Sequence, residues 1–435
     1  MIQKLCKTAL LLGALVAAPA FAQDAATAVQ PEPNSGDSAW LLTASALVML
    51  LAVPGLALFY GGMARAKNFL SVVVQIAAVA ASASLVWVVI GYSLAFSVNG
   101  TAWLGSAEHF MFNGLLDVIR DDQSTGELIF ALFQTSLAML APALIVGAWA
   151  ERARFGWVVA FGMLWTLLVY VPVVRWNWGG GFLEDSGVID YAGGIVIHVS
   201  AGVSALVAAL AIGKRTGFGS DAIRAHNPAL RVIGAGMLWA GWMGISGGWA
   251  LSASAEGAAA AIINTHLSAA AAALIWMLLE RITTGKVSAT GFATGLVAGL
   301  VAISAGAGVV GPGGALLIGA ISAVICYYVT AIVAGTLQID DALNVFAVSG
   351  AGGMTGALLL AIFASASFGG VGYDDGASVG SQLWLQLKGV AIVAVWSAVV
   401  TLIIGYMIAM VVPMRVRPDQ EEEGLDIASH GETAG

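Results

Sequence analysis

The sequence is poor in charge. Only 10% of its 435 residues are Asp, Glu, Lys or Arg, whereas 59% are hydrophobic and the mean hydropathy is +0.91. A soluble globular chain carries about 25% charged residues, so a single water-soluble domain is excluded. The net charge is −8 and the basic residues stand singly or in pairs, which leaves no basic stripe for nucleic-acid phosphates. We therefore expect a membrane protein without a nucleic-acid partner.

Cysteine is nearly absent. Cys6 and Cys326 are the two cysteines, and Cys6 lies in a segment that we predict below to be removed. A disulfide within the mature chain is then impossible, and without a cluster of Cys and His we expect no zinc or iron–sulfur site. Glycine is common, at 55 residues, but no predicted strand precedes a glycine-rich stretch as nucleotide binding requires. We predict no metal, no cofactor and, because no nucleophile and base can be placed together, no enzyme activity.

Residues 1–22 have the features of a secretory signal peptide. Lys4 and Lys7 give a basic start, a short apolar core follows, and small residues surround a cleavage point after Ala22. The mature chain is predicted to begin with a periplasmic segment over 23–38.

Long apolar runs fill most of the remaining chain. A membrane-spanning helix needs about 20 apolar residues, and lipid offers no partners to backbone polar groups, so only helices or a closed barrel can cross it. Alternating strand patterns are absent, which favours helices. We predict an all-α polytopic membrane protein with a transmembrane domain over 39–412 and a tail over 413–435. Its eleven spans are 39–60, 70–96, 126–149, 155–174, 192–213, 230–250, 257–280, 288–307, 313–334, 342–364 and 383–412.

The basic residues predict the orientation of these spans. Twelve lie in the tail and in the loops of one side, and three on the other side. Cytoplasmic loops are enriched in Lys and Arg, so we predict a bacterial inner-membrane protein with a periplasmic N-terminus and a cytoplasmic C-terminus. The twelve are Arg65, Lys67, Arg152, Arg154, Lys214, Arg215, Arg224, Arg231, Arg281, Lys286, Arg415 and Arg417.

Two segments in opposite halves of the chain resemble each other. Asp190 stands at the head of the fifth span with His198 eight residues later, and Asp341 stands at the head of the tenth with Ser349 eight residues later. The charge rule makes these spans run in opposite directions, as an inverted five-plus-five repeat requires. A carboxylate at a helix start accepts hydrogen bonds from free N–H groups, so both Asp residues are predicted to be structural.

Ionisable and aromatic residues at membrane depth are candidates for transport. His198 lies about two turns inside its helix, and the alternative is a core histidine that donates to a carbonyl. His266, in the seventh span, either lines a pore or lies at a helix or subunit contact. Trp178, before three glycines, can attract a cation through its indole face, worth about 0.5 to 2 kcal/mol. Trp242 and Trp249 either face a path or belong to the interfacial aromatic belt.

Several motifs resemble the ammonium transporter (Amt/Mep/Rh) family, in the same order and over residues 38 to 433. They are VPGLALFYGG from Val53, GAWAERARF from Gly147, WGGG from Trp178, DYAGG from Asp190 with His198, IGKR from Ile212, and EGLD from Glu423 followed by SHGE from Ser429. The resemblance implies eleven helices around a narrow pore in each subunit of a homotrimer. It also implies an outer cation site, a phenylalanine gate, two central histidines, and a cytoplasmic face on which a PII signalling protein docks with the tail.

Four residues match the site that this resemblance implies. Trp178 matches the outer-site tryptophan and Phe133 an aromatic residue beside it, while Asp190 matches the structural aspartate and His198 the first pore histidine.

Other positions depart from the family pattern, at the second pore histidine, the two gate phenylalanines and the outer-site serine. Ser349 stands at the second pore histidine, and Leu137 and Ile245 stand at the two gate phenylalanines. Trp249 stands at the outer-site serine, with Ser252 or Ser254 as alternatives. Aliphatic gate residues widen the predicted pore, and aromatic rings favour methylated cations.

The main hypothesis is inward movement of ammonium or a related small amine. The alternatives are a transporter of larger methylated or quaternary amines such as choline, and a non-conducting ammonium sensor that signals through the tail.

Overall fold

The polypeptide is mainly helical in the part that the structure describes. This computed structural model describes residues 33–120, 124–219, 225–253, 256–373 and 377–434. The predicted signal peptide and Ser254 lie outside these ranges. Within them there are isolated β-bridges but no β-strand, which confirms the all-α class.

Nine helices in the described ranges are long and apolar enough to span a membrane. They are α1 (Ser35–Gly61), α2 (Ala66–Phe96), α3 (Glu127–Trp149), α4 (Phe155–Asp185), α5 (Gly194–Ile212), α7 (Glu256–Thr284), α9 (Pro312–Thr336), α10 (Phe346–Phe363) and α11 (Val379–Ala409). Two further helices, α6 (Pro228–Gly248) and α8 (Ala289–Ile303), occupy the remaining predicted positions. The polytopic helical fold is thus confirmed, and a count of eleven spans stays a prediction.

The first helix starts earlier than the sequence predicts. It begins at Ser35 rather than at 39 because the Asn34 side chain accepts hydrogen bonds from the backbone N–H groups of Gly36 and Asp37, at 2.8 and 3.2 Å. Such a side-chain acceptor satisfies N–H groups that have no partner within the helix. The segment predicted as 23–38 therefore ends in the first turn of α1.

Helices α5 and α10 cross at small residues. A Cβ atom on Gly202 would lie 2.2 Å from the backbone nitrogen of Gly350, and one on Gly353 would lie 2.7 Å from the carbonyl oxygen of Gly194. Glycine at such crossings lets two helix backbones approach closely. The crossing brings the beginning of α5 against the beginning of α10.

Buried ion pairs hold together one end of the bundle, which we call the basic side and define by Arg65, Arg152 and Arg215. Arg65 Nε lies 2.7 Å from Glu151 Oε2. Arg215 lies 3.4 Å from the same carboxylate and 2.8 Å from Asp340 Oδ1. Burial acts to raise the pKa of Asp340, but hydrogen bonds and charge from Arg215 outweigh it and hold the pKa below its ordinary value. These ion pairs stabilise the basic side, because removing one partner would leave a buried charge without compensation.

The tail packs against the basic side. Helix α12 (Pro418–Glu423) carries Glu421, whose buried carboxylate pairs with Arg415 at 2.7 Å. The other oxygen of Glu421 accepts a hydrogen bond from the backbone N–H of Thr216 at 2.7 Å. The tail is thereby joined to the loop that follows α5.

A second contact joins the tail to α2. Asp426 is buried, and its two carboxylate oxygens accept hydrogen bonds from the backbone N–H groups of Ser71 and Leu70, at 2.7 and 3.1 Å. Leu425 N–H donates to Asn68 Oδ1 at 2.8 Å. Asp426 thus caps a helix that lies more than 350 residues earlier in the chain.

We predict that replacing Asp426 by Ala loosens the tail. The change leaves two N–H groups at the start of α2 without an acceptor, and loss of a helix cap costs about 0.5 to 2 kcal/mol. Limited proteolysis should cut the tail of the variant faster than that of the unchanged protein. The control is Asp419→Ala, which removes only a largely exposed ion pair with Arg417, worth about 0 to 1 kcal/mol. Equal cutting of both variants would contradict the role given to Asp426.

Candidate functional site

Two aspartates cap helices that begin inside the bundle. Asp190 Oδ2 accepts hydrogen bonds from the backbone N–H groups of Ile195 and Val196, at 2.9 and 2.7 Å. Asp341 Oδ2 accepts one from Phe346 N–H at 2.7 Å. Both carboxylates are buried, so each supplies an acceptor where water is excluded.

Each aspartate opens a helix with a widened turn. The first turns of α5 over Gly194–Val199 and of α10 over Phe346–Gly350 are π-helical, a form that is frequent at functional sites. His198 lies in the first of these turns and Ser349 in the second, and both side chains are buried. Gly202 of α5 contacts Gly350 of α10, whereas the earlier Gly194 contacts the later Gly353. The two segments are therefore antiparallel where they cross. An inverted repeat of the whole chain stays a prediction.

His198 is fully buried against an indole. Its imidazole stacks on Trp242, with ring centroids 5.1 Å apart and an interplanar angle of 11°. Neither ring nitrogen has a hydrogen-bond partner among the described residues. The alternative of a core histidine that donates to a carbonyl does not fit this geometry. Trp242 is itself fixed, because its Nε1 donates to Ser304 Oγ at 3.0 Å, and its burial does not fit an interfacial belt.

Three aromatic residues meet at the end of the bundle opposite the basic side, and we call them the aromatic cluster: Trp178, Trp249 and Phe133. The ring centroids of Trp178 and Trp249 lie 4.1 Å apart, and those of Trp249 and Phe133 lie 6.0 Å apart. Trp178 Nε1 donates to the carbonyl oxygen of Asp190 at 2.7 Å, which links the cluster to the capped helix.

The geometry favours Trp249 over the serine alternatives at the outer position. Ser252 directs its hydroxyl to Asp37 Oδ1, at 2.9 Å, and Ser254 lies outside the described residues. Trp249 directly follows α6, and its N–H donates to the Ile245 carbonyl at 3.0 Å. Its ring belongs to the aromatic cluster, and its match to the outer-site serine stays a prediction.

Aliphatic side chains lie one turn inside the cluster. Leu137 follows Phe133 by four residues on α3, and Ile245 precedes Trp249 by four residues, so each pair shares a helix face. Both aliphatic side chains are fully buried. The predicted gate positions are therefore within the bundle, next to the aromatic cluster.

A cavity lies between His198 and the basic side. Its volume is about 20 Å³, which is room for about one water molecule, and its lining includes Trp242 and Ser349. Arg231, Asn344 and Tyr60 also line it, and none of them is among the site residues predicted from the sequence. The sequence signal for Arg231 is its position as a charged residue inside the predicted span 230–250, although the charge count places it among the loop residues.

His266 lies apart from this cavity. It is exposed on α7, and its ring stacks on Trp239 with centroids 5.1 Å apart. Within the described ranges no three His, Cys, Asp or Glu side chains come together in a metal-binding arrangement.

Comparison with known proteins gives one consistent result. A family model described as Ammonium Transporter Family matches residues 39–435. The chain is similar to an ammonium transporter of Aquifex aeolicus, with 39% identity over 94% of this chain and 95% of the relative. It is similar to an ammonium transporter of Bacillus subtilis, with 38% identity over 92% of this chain and 98% of the relative.

Solved structures agree with these relatives. A sensor Amt protein has a TM-score of 0.85 and 29% identity, over 91% of this chain and 98% of that chain. Mep2 of Candida albicans has a TM-score of 0.82 and 33% identity, over 89% of this chain and 88% of that chain.

We predict that Asp190→Ala lowers the thermal stability of the protein. The N–H groups of Ile195 and Val196 lose their acceptor, and each buried unsatisfied group costs about 1 to 3 kcal/mol. Asp190→Asn keeps an oxygen acceptor and should retain most of the stability, while the exposed neighbour Asp185→Ala should retain all of it. Unfolding followed by tryptophan fluorescence makes the comparison, and a stable Asp190→Ala protein would refute the capping role.

Proposed function

The chain belongs to the ammonium transporter family, and from this premise we propose that it moves ammonium across a membrane without covalent chemistry. The observation that carries the proposal is the order of features along α6. Trp249 of the aromatic cluster, Ile245 and Trp242 follow each other over about 10 Å at about 1.5 Å per residue. Trp242 in turn lines the inner cavity. These residues mark one path through the bundle.

The aromatic cluster suits the recruitment of a cation. Indole and phenyl rings attract a cation through their negative faces, by about 0.5 to 2 kcal/mol depending on desolvation. The contact between Trp178 and Asp190 keeps one ring fixed beside the entrance. Substrate then passes Leu137 and Ile245, which carry no polar group to retain it.

His198 is the polar group that we assign to the middle of the path. Its two ring nitrogens have no partner in the described part of the chain, and such nitrogens can donate to or accept from a small amine. Ser349 offers a hydroxyl from the other capped helix. The proposal therefore explains why a buried imidazole is left without a protein partner, at a cost of about 1 to 3 kcal/mol.

A larger methylated or quaternary amine finds no support. The relatives compared above carry ammonium transporter names. The rings of Trp178 and Trp249 are in contact at 4.1 Å between centroids, so no space for a quaternary ammonium group lies between them.

An ammonium sensor is the second candidate. Similarity to a sensor Amt protein at a TM-score of 0.85 supports it, as do the departures at Leu137, Ile245 and Ser349. A sensor binds ammonium without net flux, so transport measurements separate the two.

We extend the proposal to the assembly. We propose eleven spans in a bacterial inner membrane, a homotrimer, and a basic side that faces the cytoplasm and receives a PII protein together with the tail. In the most apolar stretch of α9 and of α11, only 33% of the residues are buried. The remaining residues form faces that lipid or a second copy of the chain can cover.

The orientation is tested by a reporter fused after Arg417. Twelve basic residues lie in the tail or in loops on the same side, and cytoplasmic loops are enriched in such residues. We therefore expect a reporter that works only in the cytoplasm to be active after Arg417. The matched fusion carries a reporter that works only after export, and activity of that fusion would reverse the proposed topology.

Transport is tested with labelled ammonium in proteoliposomes. The unchanged protein should take up ammonium above the level of empty liposomes, and His198→Ala should abolish this uptake because the path loses its central polar group. The control His266→Ala removes a histidine outside the cavity and should leave uptake unchanged. Binding of ammonium without uptake by the unchanged protein would favour the sensor, and full uptake by His198→Ala would remove that residue from the path.

A further inference from the structure

Arg231 is a buried cation in the wall of the inner cavity. It is the fourth residue of α6, its side chain is 3% exposed, and it lines the same cavity as Trp242 and Ser349. A charged group within a membrane-spanning bundle is costly, and such groups mark functional sites by default.

The guanidinium is held in a fixed position. Its Nη2 donates to Thr294 Oγ1 at 2.5 Å, and its Cζ lies 5.1 Å from the centroid of the Phe59 ring. The backbone of Arg231 packs closely against Gly62, so closely that a Cβ atom on Gly62 would lie only 2.6 Å from the Arg231 backbone nitrogen. The charge therefore cannot swing away from the cavity without breaking these contacts.

No carboxylate pairs with this charge. Arg231 forms no ion pair within 4.0 Å among the described residues, and its buried Nε has no hydrogen-bond partner there. The carboxylate of Glu280 acts on this charge from a distance, while its oxygens accept hydrogen bonds from the backbone N–H and the hydroxyl of Ser288, both at 2.9 Å. The guanidinium therefore faces the cavity without a carboxylate in direct contact, and Glu280 offsets only part of its charge.

The charge lies on the proposed path. Arg231 precedes Trp242 by eleven residues, about three helical turns and about 16 Å, so the two side chains share one face of α6. Anything that passes Trp242 and Ser349 into the cavity comes within reach of the guanidinium before it reaches the basic side.

We propose that Arg231 is a charge filter that excludes monovalent cations from the inner cavity and leaves neutral ammonia unhindered. The inference rests on the proposed function for its link to transport. Like charges repel strongly where water is scarce, and at an effective dielectric constant of about 20 a separation of about 8 Å is enough to lower cation occupancy by more than about tenfold. Ammonia carries no charge and is not repelled, so ammonium that has reached the aromatic cluster enters this cavity as ammonia after it has transferred a proton to water on the outer side.

The first test compares potassium permeability in proteoliposomes. Arg231→Met should raise it by about tenfold or more over the unchanged protein, whereas Arg231→Lys keeps the charge and should leave it low. The matched control Arg281→Gln removes an exposed basic residue at the end of α7, outside the cavity, and should change nothing.

A second measurement covers the case in which the aromatic cluster itself stops potassium. Crystals of the unchanged protein and of Arg231→Met are soaked in caesium, and we expect anomalous density in the cavity of the variant alone. Caesium in the cavity of the unchanged protein, or no gain in either potassium flux or caesium binding for Arg231→Met, would overturn the filter.

Ammonium uptake by the same vesicles separates the two hypotheses. If the unchanged protein carries no ammonium but Arg231→Met gains cation occupancy, the proposed function fails and the filter stands. If ammonium is carried and the variant gains nothing, the filter fails and the proposed function stands.

Discussion

Backbone N–H groups at a helix start need acceptors, and inside this bundle two aspartates supply them. Asp190 and Asp341 make it possible for α5 and α10 to begin within the protein rather than at its surface. Because these helices begin there, their widened first turns place His198 and Ser349 against the crossing of the two backbones. The aromatic cluster depends on the same arrangement, since Trp178 donates to the backbone of Asp190.

The proposed path is lined by groups that a stable core would pair or exclude. Among the described residues, the two ring nitrogens of His198 have no hydrogen-bond partner, and neither has the buried Nε of Arg231. Locally unfavourable groups of this kind are expected where a protein performs its function. The tail and the ion pairs of the basic side show the opposite pattern, with Glu421 and Asp426 fully engaged.

Hydropathy was enough to predict the helices, because each span must bury its backbone polar groups in its own hydrogen bonds. It could not predict the start of α1, which a single Asn34 side chain decides, or the packing of the tail, whose contacts join residues far apart in sequence. The sequence did show the similarity between the Asp190 and Asp341 segments, because a polar residue follows each aspartate after eight positions. Arg231 was missed because a basic residue near the end of a span looks like a loop residue, and only the fold shows that it turns inward.

The central claim is that ammonium crosses the bundle between the two capped helices. Its most direct test is ammonium flux into proteoliposomes that contain the unchanged protein or Ser349→Phe, because a large ring at this position does not fit beside a cavity of about 20 Å³ without closing it. We expect flux through the unchanged protein and only the empty-liposome level through the variant, with both proteins folded to the same extent by circular dichroism. Equal flux through the two proteins, or none through the unchanged one, would contradict it.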